Sequence, residues 1–334
     1  MPHKKCLAFL GLALVATLTG LTHTASAAEP RYKLLKQIQI GGGSGWDYRY
    51  ADSVGRRLYV THGTKVVVID TDIDKVVGEI LDTPGVHGFI SIPDLKRGFS
   101  SNGQENKTSI VDLETLKTLE KVPTGAKPDA LLYEPTSGEV FIFNGRGQSA
   151  TAIDAKTGKV VAEAIPLEGK PEAGVADSAA GMVYVNLEDK NEIAVIDIKT
   201  HKVTARWPIA PGEAATGLAI DQKLHRLIVG AGNSKMLMLD STNGKVIATI
   251  DCGQGVDAAA YDPESHLAFV SAGGSGTVTI ARLEADKLTI IQTLNTERGA
   301  RTMTVDSKTH RIYLANAKSR NDATSFKVLV YGLE

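Results

Sequence analysis

A repeat of 40 to 44 residues runs through this chain and constrains its fold more than any other feature. The repeat is marked by an aromatic or aliphatic residue that occurs seven times at nearly even spacing. These markers are Tyr59, Phe99, Phe141, Tyr184, Ile228, Phe269 and Tyr313. A repeat of this length indicates similar structural units that pack against their neighbours, rather than one irregular core.

Two further columns of residues keep the same phase as the markers. An acidic residue stands seven positions before the marker in six of the seven units, and Ile92 takes its place in the second unit. Eleven to thirteen positions after the marker, five units carry an aspartate, namely Asp70, Asp112, Asp154, Asp197 and Asp240. Because aspartate accepts hydrogen bonds from turn N–H groups, this column predicts a hairpin corner in each unit.

Each unit reads as short apolar runs separated by turn residues, which is the pattern of β-strands. Residues 66–69 and 193–196 are such runs, and residues 154–159 form a turn sequence. After residue 27, no window of 12 or more residues sustains helical periodicity. Four short strands per unit, repeated seven times, predict an all-β, seven-bladed β-propeller with four antiparallel strands in each blade.

The two ends of the chain are predicted to close the ring. The last unit supplies strands near residues 302–305, 311–314 and 327–330, and lacks an outer strand. The first unit has a surplus strand at residues 32–40, before its inner strand. If this N-terminal strand docks as the outer strand of the last blade, two open sheet edges disappear at once.

Residues 1–27 have the pattern of a signal peptide. They contain a positive start at Lys4 and Lys5, an apolar run over residues 6–18, and an A-x-A pattern that ends at Ala27. The apolar run is short for a membrane anchor, which needs about 20 residues. We therefore expect a secreted, periplasmic or extracellular mature chain with no membrane span, folded as a single propeller domain over residues 28–334.

Composition argues against several classes of function. Lys and Arg number 37 against 38 acidic residues, so there is no bulk positive field for nonspecific nucleic-acid binding. Two cysteines exclude a disulfide scaffold and a cysteine-rich metal site. Basic residues do occur in loops predicted between second and third strands, at Lys107, Arg146, Lys190, Lys235, Lys318 and Arg320. Single-stranded nucleic acid also requires exposed aromatic rings, and Phe326 is the nearest one, so we do not expect such a partner.

The strand residues resemble those of YVTN-family β-propellers, a WD40-like class of repeat. Residues 59–62, Tyr-Val-Thr-His, are similar to the tetrapeptide that names the family, with His62 in place of its asparagine. Residues 184–186 and 313–316 are weaker versions, and residues 152–160 resemble the strand–turn–strand signature. The resemblance covers essentially residues 28–334 and extends to the YncE-like exported bacterial members. It implies an architecture similar to that of seven-bladed lactonases and streptogramin lyases. The resemblance is specific for the fold and says little about the activity of the chain.

The position twelve residues before each marker is polar in every unit. We predict that it lies in the loops that enter the innermost strands, which converge on one mouth of a propeller channel. The seven residues are Asp47, His87, Asp129, Glu172, Thr216, Asp257 and Arg301. Their neighbours are mostly small or apolar, which favours side chains directed into a shared space. Closure of the ring should place Arg301 next to Asp47, where it would offset one of the crowded carboxylates by a charge-assisted bond. Simple solvation of a wet channel mouth is the alternative explanation.

Two classes of function remain open. The first is an exported, monomeric propeller that binds a small-molecule ligand or a protein partner on its channel face through these seven residues, with no catalytic motif. The second is a metal-dependent lactonase- or lyase-like enzyme, with His87 or Glu172 as the candidate catalytic base. Its candidate metal ligands are Asp47, His87, Asp129, Glu172 and Asp257. Carboxylates suit calcium or magnesium, and the histidine admits zinc or manganese.

Overall fold

The computed structural model describes residues 1–3, 31–43, 45–317, 322 and 324–333. Within these ranges, 28 strands form seven antiparallel four-stranded sheets. The predicted all-β, seven-bladed propeller is thereby confirmed. The predicted signal peptide falls mainly on residues 4–27, outside the described residues, so it stays a prediction.

Within each of the first six blades, strands follow one another from the channel outward. The first blade contains β2 (Arg49–Asp52), β3 (Arg57–His62), β4 (Lys65–Asp70) and β5 (Lys75–Ile80). The second contains β6 (Val86–Ile92), β7 (Arg97–Asn102), β8 (Lys107–Asp112) and β9 (Thr118–Pro123). The third contains β10 (Pro128–Glu134), β11 (Glu139–Asn144), β12 (Ser149–Asp154) and β13 (Val160–Pro166).

The next three blades repeat this order. The fourth contains β14 (Pro171–Asp177), β15 (Met182–Leu187), β16 (Glu192–Asp197) and β17 (Lys202–Pro208). The fifth contains β18 (Ala215–Asp221), β19 (Arg226–Ala231), β20 (Lys235–Asp240) and β21 (Val246–Asp251). The sixth contains β22 (Val256–Asp262), β23 (Leu267–Ala272), β24 (Thr277–Leu283) and β25 (Leu288–Asn295). Short 3-10 turns span Pro93–Leu95 and Glu188–Lys190.

The seventh blade is built from both ends of the chain, as predicted. It contains β26 (Met303–Asp306), β27 (Arg311–Asn316), β28 (Lys327–Leu333) and, outermost, β1 (Tyr32–Gln39). Strand β1 runs antiparallel to β28, with Tyr32 opposite Leu333 and Gln39 opposite Lys327. Strand β1 is also attached to the neighbouring sixth blade. The Gln292 side chain of β25 accepts a hydrogen bond from the Tyr32 backbone N–H and donates one to the Tyr32 carbonyl, at 2.8 Å each.

The marker residues form the apolar layers of the blades. All seven lie on the second strands and are buried, with exposed fractions of 3% or less. The aspartates of the turn column accept backbone N–H groups: Asp112 bonds the N–H of Thr115 at 2.7 Å, and Asp197 bonds that of Thr200 at 2.7 Å. The repeat is therefore set by two needs, namely a large apolar residue between sheets and a closed hairpin corner.

The acidic column before the markers joins neighbouring blades. These acids end the innermost strands, and several of them bond a side chain of the following blade. The pairs are Asp52 with Ser91, Glu134 with Ser178, Asp221 with Tyr261, Asp262 with His310, and Asp306 with Arg56. The last pair, at 2.8 Å, crosses the closure between the seventh blade and the first. We refer to these five pairs as the interblade belt.

Deleting residues 28–40 should open the ring. The deletion removes a full strand and the buried side chains of Tyr32 and Ile38, each worth about 1.5–3 kcal/mol. We expect the melting temperature to fall by about 10 °C or more. Leu34→Ala, at an exposed position of the same strand, is the control and should melt within about 2 °C of the wild type. A deletion variant that melts like the intact protein would contradict the closure.

Candidate functional site

The innermost strands of all seven blades surround a central channel of about 820 Å³. Most of its wall is apolar, with Leu131, Val175, Leu218, Ala259 and Val305 among the residues that face it. The interblade belt lies where these strands end. The seven polar residues predicted from the repeat lie where the strands begin, at the other end of the channel.

The prediction that these seven residues lie in loops is wrong for five of them. His87, Asp129, Glu172, Thr216 and Asp257 are each the second residue of an innermost strand, whereas Asp47 and Arg301 stand two residues before β2 and β26. In those five blades the preceding residue still pairs with the last residue of the second strand, as Pro128 does with Asn144. The register then shifts directly after it, which is the signature of a β-bulge.

The bulge decides where these side chains point. Side chains alternate along a regular strand, so one extra residue reverses the face that the next residue occupies. The same insertion occurs in five consecutive blades, and it places the polar residue at the strand entrance while the rest of the strand keeps its apolar wall. Bulges are frequent beside active sites for this reason.

Asp47, His87 and Asp129 form the tightest group. His87 Nδ1 lies 2.6 Å from Asp47 Oδ2 and 3.5 Å from Asp129 Oδ1. One ligand atom from each of the three residues lies within 4.8 Å of the other two. They come from the first, second and third blades, so only the folded ring brings them together.

The other four residues take separate partners. Glu172 lies 2.7 Å from Lys170 Nζ and accepts a hydrogen bond from the Tyr48 hydroxyl at 3.4 Å. Arg301 Nε lies 3.4 Å from Asp257 Oδ2. Thr216 Oγ1 donates to the Val256 carbonyl at 3.3 Å, which joins the fifth and sixth blades. Thr216 thus has a structural partner already.

Arg301 does not pair with Asp47 as predicted. Its guanidinium pairs with Asp257 of the sixth blade and donates to the Trp46 carbonyl of the first blade at 3.4 Å. The physical reason is competition, because Asp47 Oδ2 already accepts the short hydrogen bond with His87. Closure of the ring does bring Arg301 beside the first blade, where it contacts the backbone of Trp46 and not the Asp47 side chain.

Burial and mutual repulsion shift the ionisation of the acidic residues. Desolvation by burial raises the pKa of Asp129 to about 6, and the charge of Asp47 adds to the shift. Burial, with the charge of Asp129, raises the pKa of Glu172 to about 7. Burial, against the opposing charge of Arg301, raises the pKa of Asp257 to about 6. These carboxyl groups are therefore ready to exchange protons near neutral pH.

The pKa of His87 is raised, whereas burial alone would lower it. Burial lowers the pKa of His87, but its hydrogen bond to Asp47 and the charges of Asp129 and Asp47 outweigh that effect and raise it. The protonated form is favoured because two carboxylates flank one imidazole.

Two residues that sequence reasoning missed complete the site. Tyr48 comes from the first blade, but its side chain packs against the apolar cluster of the third and fourth blades and bonds Glu172, so it reaches across the channel. Arg49 is 5% exposed, and desolvation lowers its pKa to about 9. They are the two residues after Asp47, with Arg49 as the first residue of β2, and an aromatic and a basic residue at the entrance of an innermost strand were the available signal.

The aromatic residue considered for nucleic-acid stacking is not exposed. Phe326 is fully buried, and its ring stacks on that of His62 at a centroid distance of 4.2 Å. The Trp46 ring also packs against Phe326, at a centroid distance of 5.4 Å.

Of the six basic residues predicted in loops, Lys107 and Lys235 are instead the first residues of β8 and β20, because each third strand begins directly after a tight turn. Arg146 and Lys190 lie in turns, and Lys318 and Arg320 lie outside the described residues.

Sequence comparison finds relatives over part of the chain. No protein-family model matches it. It is 31% identical over 116 residues to YncE of Salmonella typhi, a protein described as uncharacterized, and this match covers 33% of each chain. The chain is a seven-bladed β-propeller that is similar to YncE over this part of its length. The match spans about a third of the length of that relative.

Solved structures support the propeller fold over most of the chain. This propeller is similar to a chain of the Kuenenia stuttgartiensis hydrazine synthase, with a TM-score of 0.74, 16% identity and coverage of 86% of this chain and 95% of that one. It is equally similar to a chain of a mitotic checkpoint complex, at a TM-score of 0.74, 13% identity and 98% coverage of both. Identities this low concern the fold alone. Within the described ranges, no helix has the length and apolar character needed to cross a bilayer.

Stability should rise as the pH falls from 8 to 5. A carboxyl group whose folded pKa is raised destabilises the fold while it is ionised, and this cost disappears as the pH falls through the folded pKa values of about 6 to 7 of Asp129, Asp257 and Glu172. The raised pKa of His87 acts in the same direction, since its contribution is lost as the pH rises.

Asp129→Asn tests this dependence. The variant should be more stable than wild type at pH 8 by about 1–3 kcal/mol and should show a flatter pH profile in chemical denaturation. Asp251→Asn, at an exposed position, should leave the wild-type profile unchanged. A profile in Asp129→Asn as steep as that of the wild type would count against the assignment.

Proposed function

We propose that this chain is an exported binding protein whose channel holds a small ligand, with the polar group at the strand entrances as the recognition end. One observation carries the proposal: an apolar-walled channel of about 820 Å³ has charged, largely buried groups gathered at a single end. Binding pockets for small molecules commonly have this size and this division between apolar wall and few polar groups.

The electrostatics of the entrance support binding. Asp129, Glu172 and Asp257 all have raised pKa values because water is largely excluded from them. Groups with strongly shifted pKa values cluster at functional sites, since stability alone would favour solvated or fully paired charges. Export belongs to the same proposal, and the signal-peptide pattern of residues 1–27 supports it.

The alternative occupant is a protein partner that binds the face of the propeller at which the polar residues lie. The structural similarity to a chain of a mitotic checkpoint complex supports it at the level of the fold, because that chain belongs to an assembly. The small-ligand form is favoured by the depth of the channel, which a flat protein surface would leave unfilled.

Filling part of the channel should weaken ligand binding. Ala259 faces the channel from β22, so Ala259→Phe puts a ring into it. We expect the neutral fluorophore N-phenyl-1-naphthylamine to bind wild type with enhanced emission and to bind Ala259→Phe at least about tenfold more weakly. Ala179→Phe, in an exposed hairpin turn, should bind like wild type. Equal titrations for the two variants would place the bound fluorophore outside the channel.

A second candidate is a metal-dependent enzyme at the same entrance, and one observation favours it. The ligand atoms of Asp47, His87 and Asp129 lie within 4.8 Å of one another, close enough to share one cation. A nitrogen and two carboxylate oxygens suit zinc or manganese. A cation there would relieve the repulsion between the carboxylates and polarise a carbonyl oxygen, and Glu172 would act as the base.

Zinc titration distinguishes this candidate. At pH 7.5, isothermal titration calorimetry should show one Zn²⁺ per chain for wild type, and His87→Ala and Asp129→Asn should each weaken binding by about tenfold or more. Lowering the pH to 5 should release the ion by protonating its ligands. His201→Ala is the matched control, because His201 pairs with Glu139 outside the channel. If His87→Ala and His201→Ala bind zinc alike, the metal candidate fails.

A further inference from the structure

A second cavity, of about 510 Å³, lies at the end of the channel that carries the interblade belt. Three tyrosines and two aspartates line it, namely Tyr50, Tyr133, Tyr261, Asp52 and Asp94, together with alanine, serine, proline, valine and isoleucine residues. We refer to this cavity as the belt pocket. Its residues come from five blades, and Tyr50 and Tyr133 also line the channel, so the two cavities adjoin.

The tyrosines approach the belt pocket from different sides of the ring. Tyr133 and Tyr261 hold the same position of the repeat, eight residues before the markers Phe141 and Phe269. They belong to the third and sixth blades, which are nearly opposite in a ring of seven. The Tyr261 hydroxyl donates to Asp221 of the fifth blade at 2.5 Å, which holds its ring along the wall between those two blades. Aromatic rings of this kind attract cations through their faces.

The belt pocket is also negatively charged. Asp52 and Asp94 line it, and none of the described residues that line it is lysine, arginine or histidine. Burial raises the pKa of Tyr133, and the charges of Glu134 and Asp94 add to the shift. Burial and the charge of Asp52 raise the pKa of Tyr50 to about 12. The acidic charges therefore act on the tyrosines themselves, and a cation in the pocket would be attracted by both.

The buried carboxylate oxygens of this region are already used. Asp52 is 6% exposed, its Oδ1 accepts the Gly55 N–H at 2.6 Å, and its Oδ2 accepts the Ser91 hydroxyl at 2.7 Å. A primary ammonium group would lose hydrogen bonds to water there without gaining equal ones in return. A quaternary ammonium group has no N–H to satisfy, so it keeps the electrostatic attraction without this cost.

We infer that the belt pocket binds the quaternary ammonium group of a small molecule, with its methyl groups against Tyr133 and Tyr261 and its charge offset by Asp52 and Asp94. This site lies at the opposite end of the channel from the polar entrance and goes beyond the proposed function. The cavity volume is in the usual range for small-molecule sites. The rest of such a ligand can extend into the adjoining channel.

The experiment compares three compounds by isothermal titration calorimetry on the full mature chain at pH 7.5. Choline carries a trimethylammonium group, 3,3-dimethyl-1-butanol has the same shape without the charge, and ethanolamine has the charge without the methyl groups. We expect choline to bind at least about tenfold more tightly than either analogue, because only choline combines a charge with a surface free of N–H donors. If either analogue binds as tightly as choline, the inference is overturned.

Two substitutions of one tyrosine test the ring contact. Tyr133→Leu removes the aromatic face and should weaken choline binding by about fivefold or more. Tyr133→Phe keeps that face and should bind choline within about twofold of the wild type. If Tyr133→Leu and Tyr133→Phe bind choline alike, the ring does not contact the ligand and the inference fails.

A matched pair of charge substitutions tests the acidic contribution. Asp94→Asn should weaken choline binding by about twofold to threefold, a modest effect because Asp94 is exposed and its charge is screened by salt. Asp251→Asn removes an equally exposed charge from the end of the outer strand β21 and should bind choline like the wild type. Equal losses in the two variants would count against the assigned contact.

The inference and the proposed function can fail separately. If choline binds and N-phenyl-1-naphthylamine does not, the channel proposal fails and the belt pocket stands. If the fluorophore binds in the channel and choline shows no binding, the inference is overturned and the channel proposal stands.

Discussion

The pairing of β1 with β28 is the interaction on which the rest of the structure depends. In a closed ring, each blade is positioned by the blades on both sides, so the joint between the two ends of the chain fixes all seven at once. Arg49 and Thr302 are 253 residues apart in sequence and bond each other only because of that joint. The bond between Arg56 and Asp306 does the same at the other end of the channel. An open ring would lose both ends of the channel together.

Gathering the polar residues at the channel entrance costs folding free energy. Four carboxylates converge where water is scarce, and burial raises the pKa of three of them. The cations Lys170 and Arg301 offset part of this cost. The bulges at the strand entrances keep the charged groups out of the apolar sheet interfaces. In each of five blades, one inserted residue thus separates a polar side chain from the packed part of the strand, and four of these five side chains are ionisable.

The fold could be predicted because its determinants are periodic. A marker such as Phe141 must be large and apolar to fill the space between sheets, and an aspartate such as Asp154 must close a hairpin, so both recur at fixed offsets. The positions of the candidate site residues followed from the same period. Their partners did not, because partner choice depends on competition in three dimensions: Asp47 bonds His87, and Arg301 therefore pairs with Asp257.

The contact of Tyr48 across the channel could not be predicted from the repeat either. No other unit has tyrosine at the equivalent position, and a repeat gives no information about a residue type that occurs in one unit only. Its hydroxyl reaches Glu172 in the fourth blade, nearly opposite its own strand in a ring of seven. The consequence concerns symmetry. The four-stranded sheet repeats seven times around the ring, yet the single Tyr48 side chain makes the cross-section of the channel unsymmetrical, so an occupant would meet different walls on its different sides.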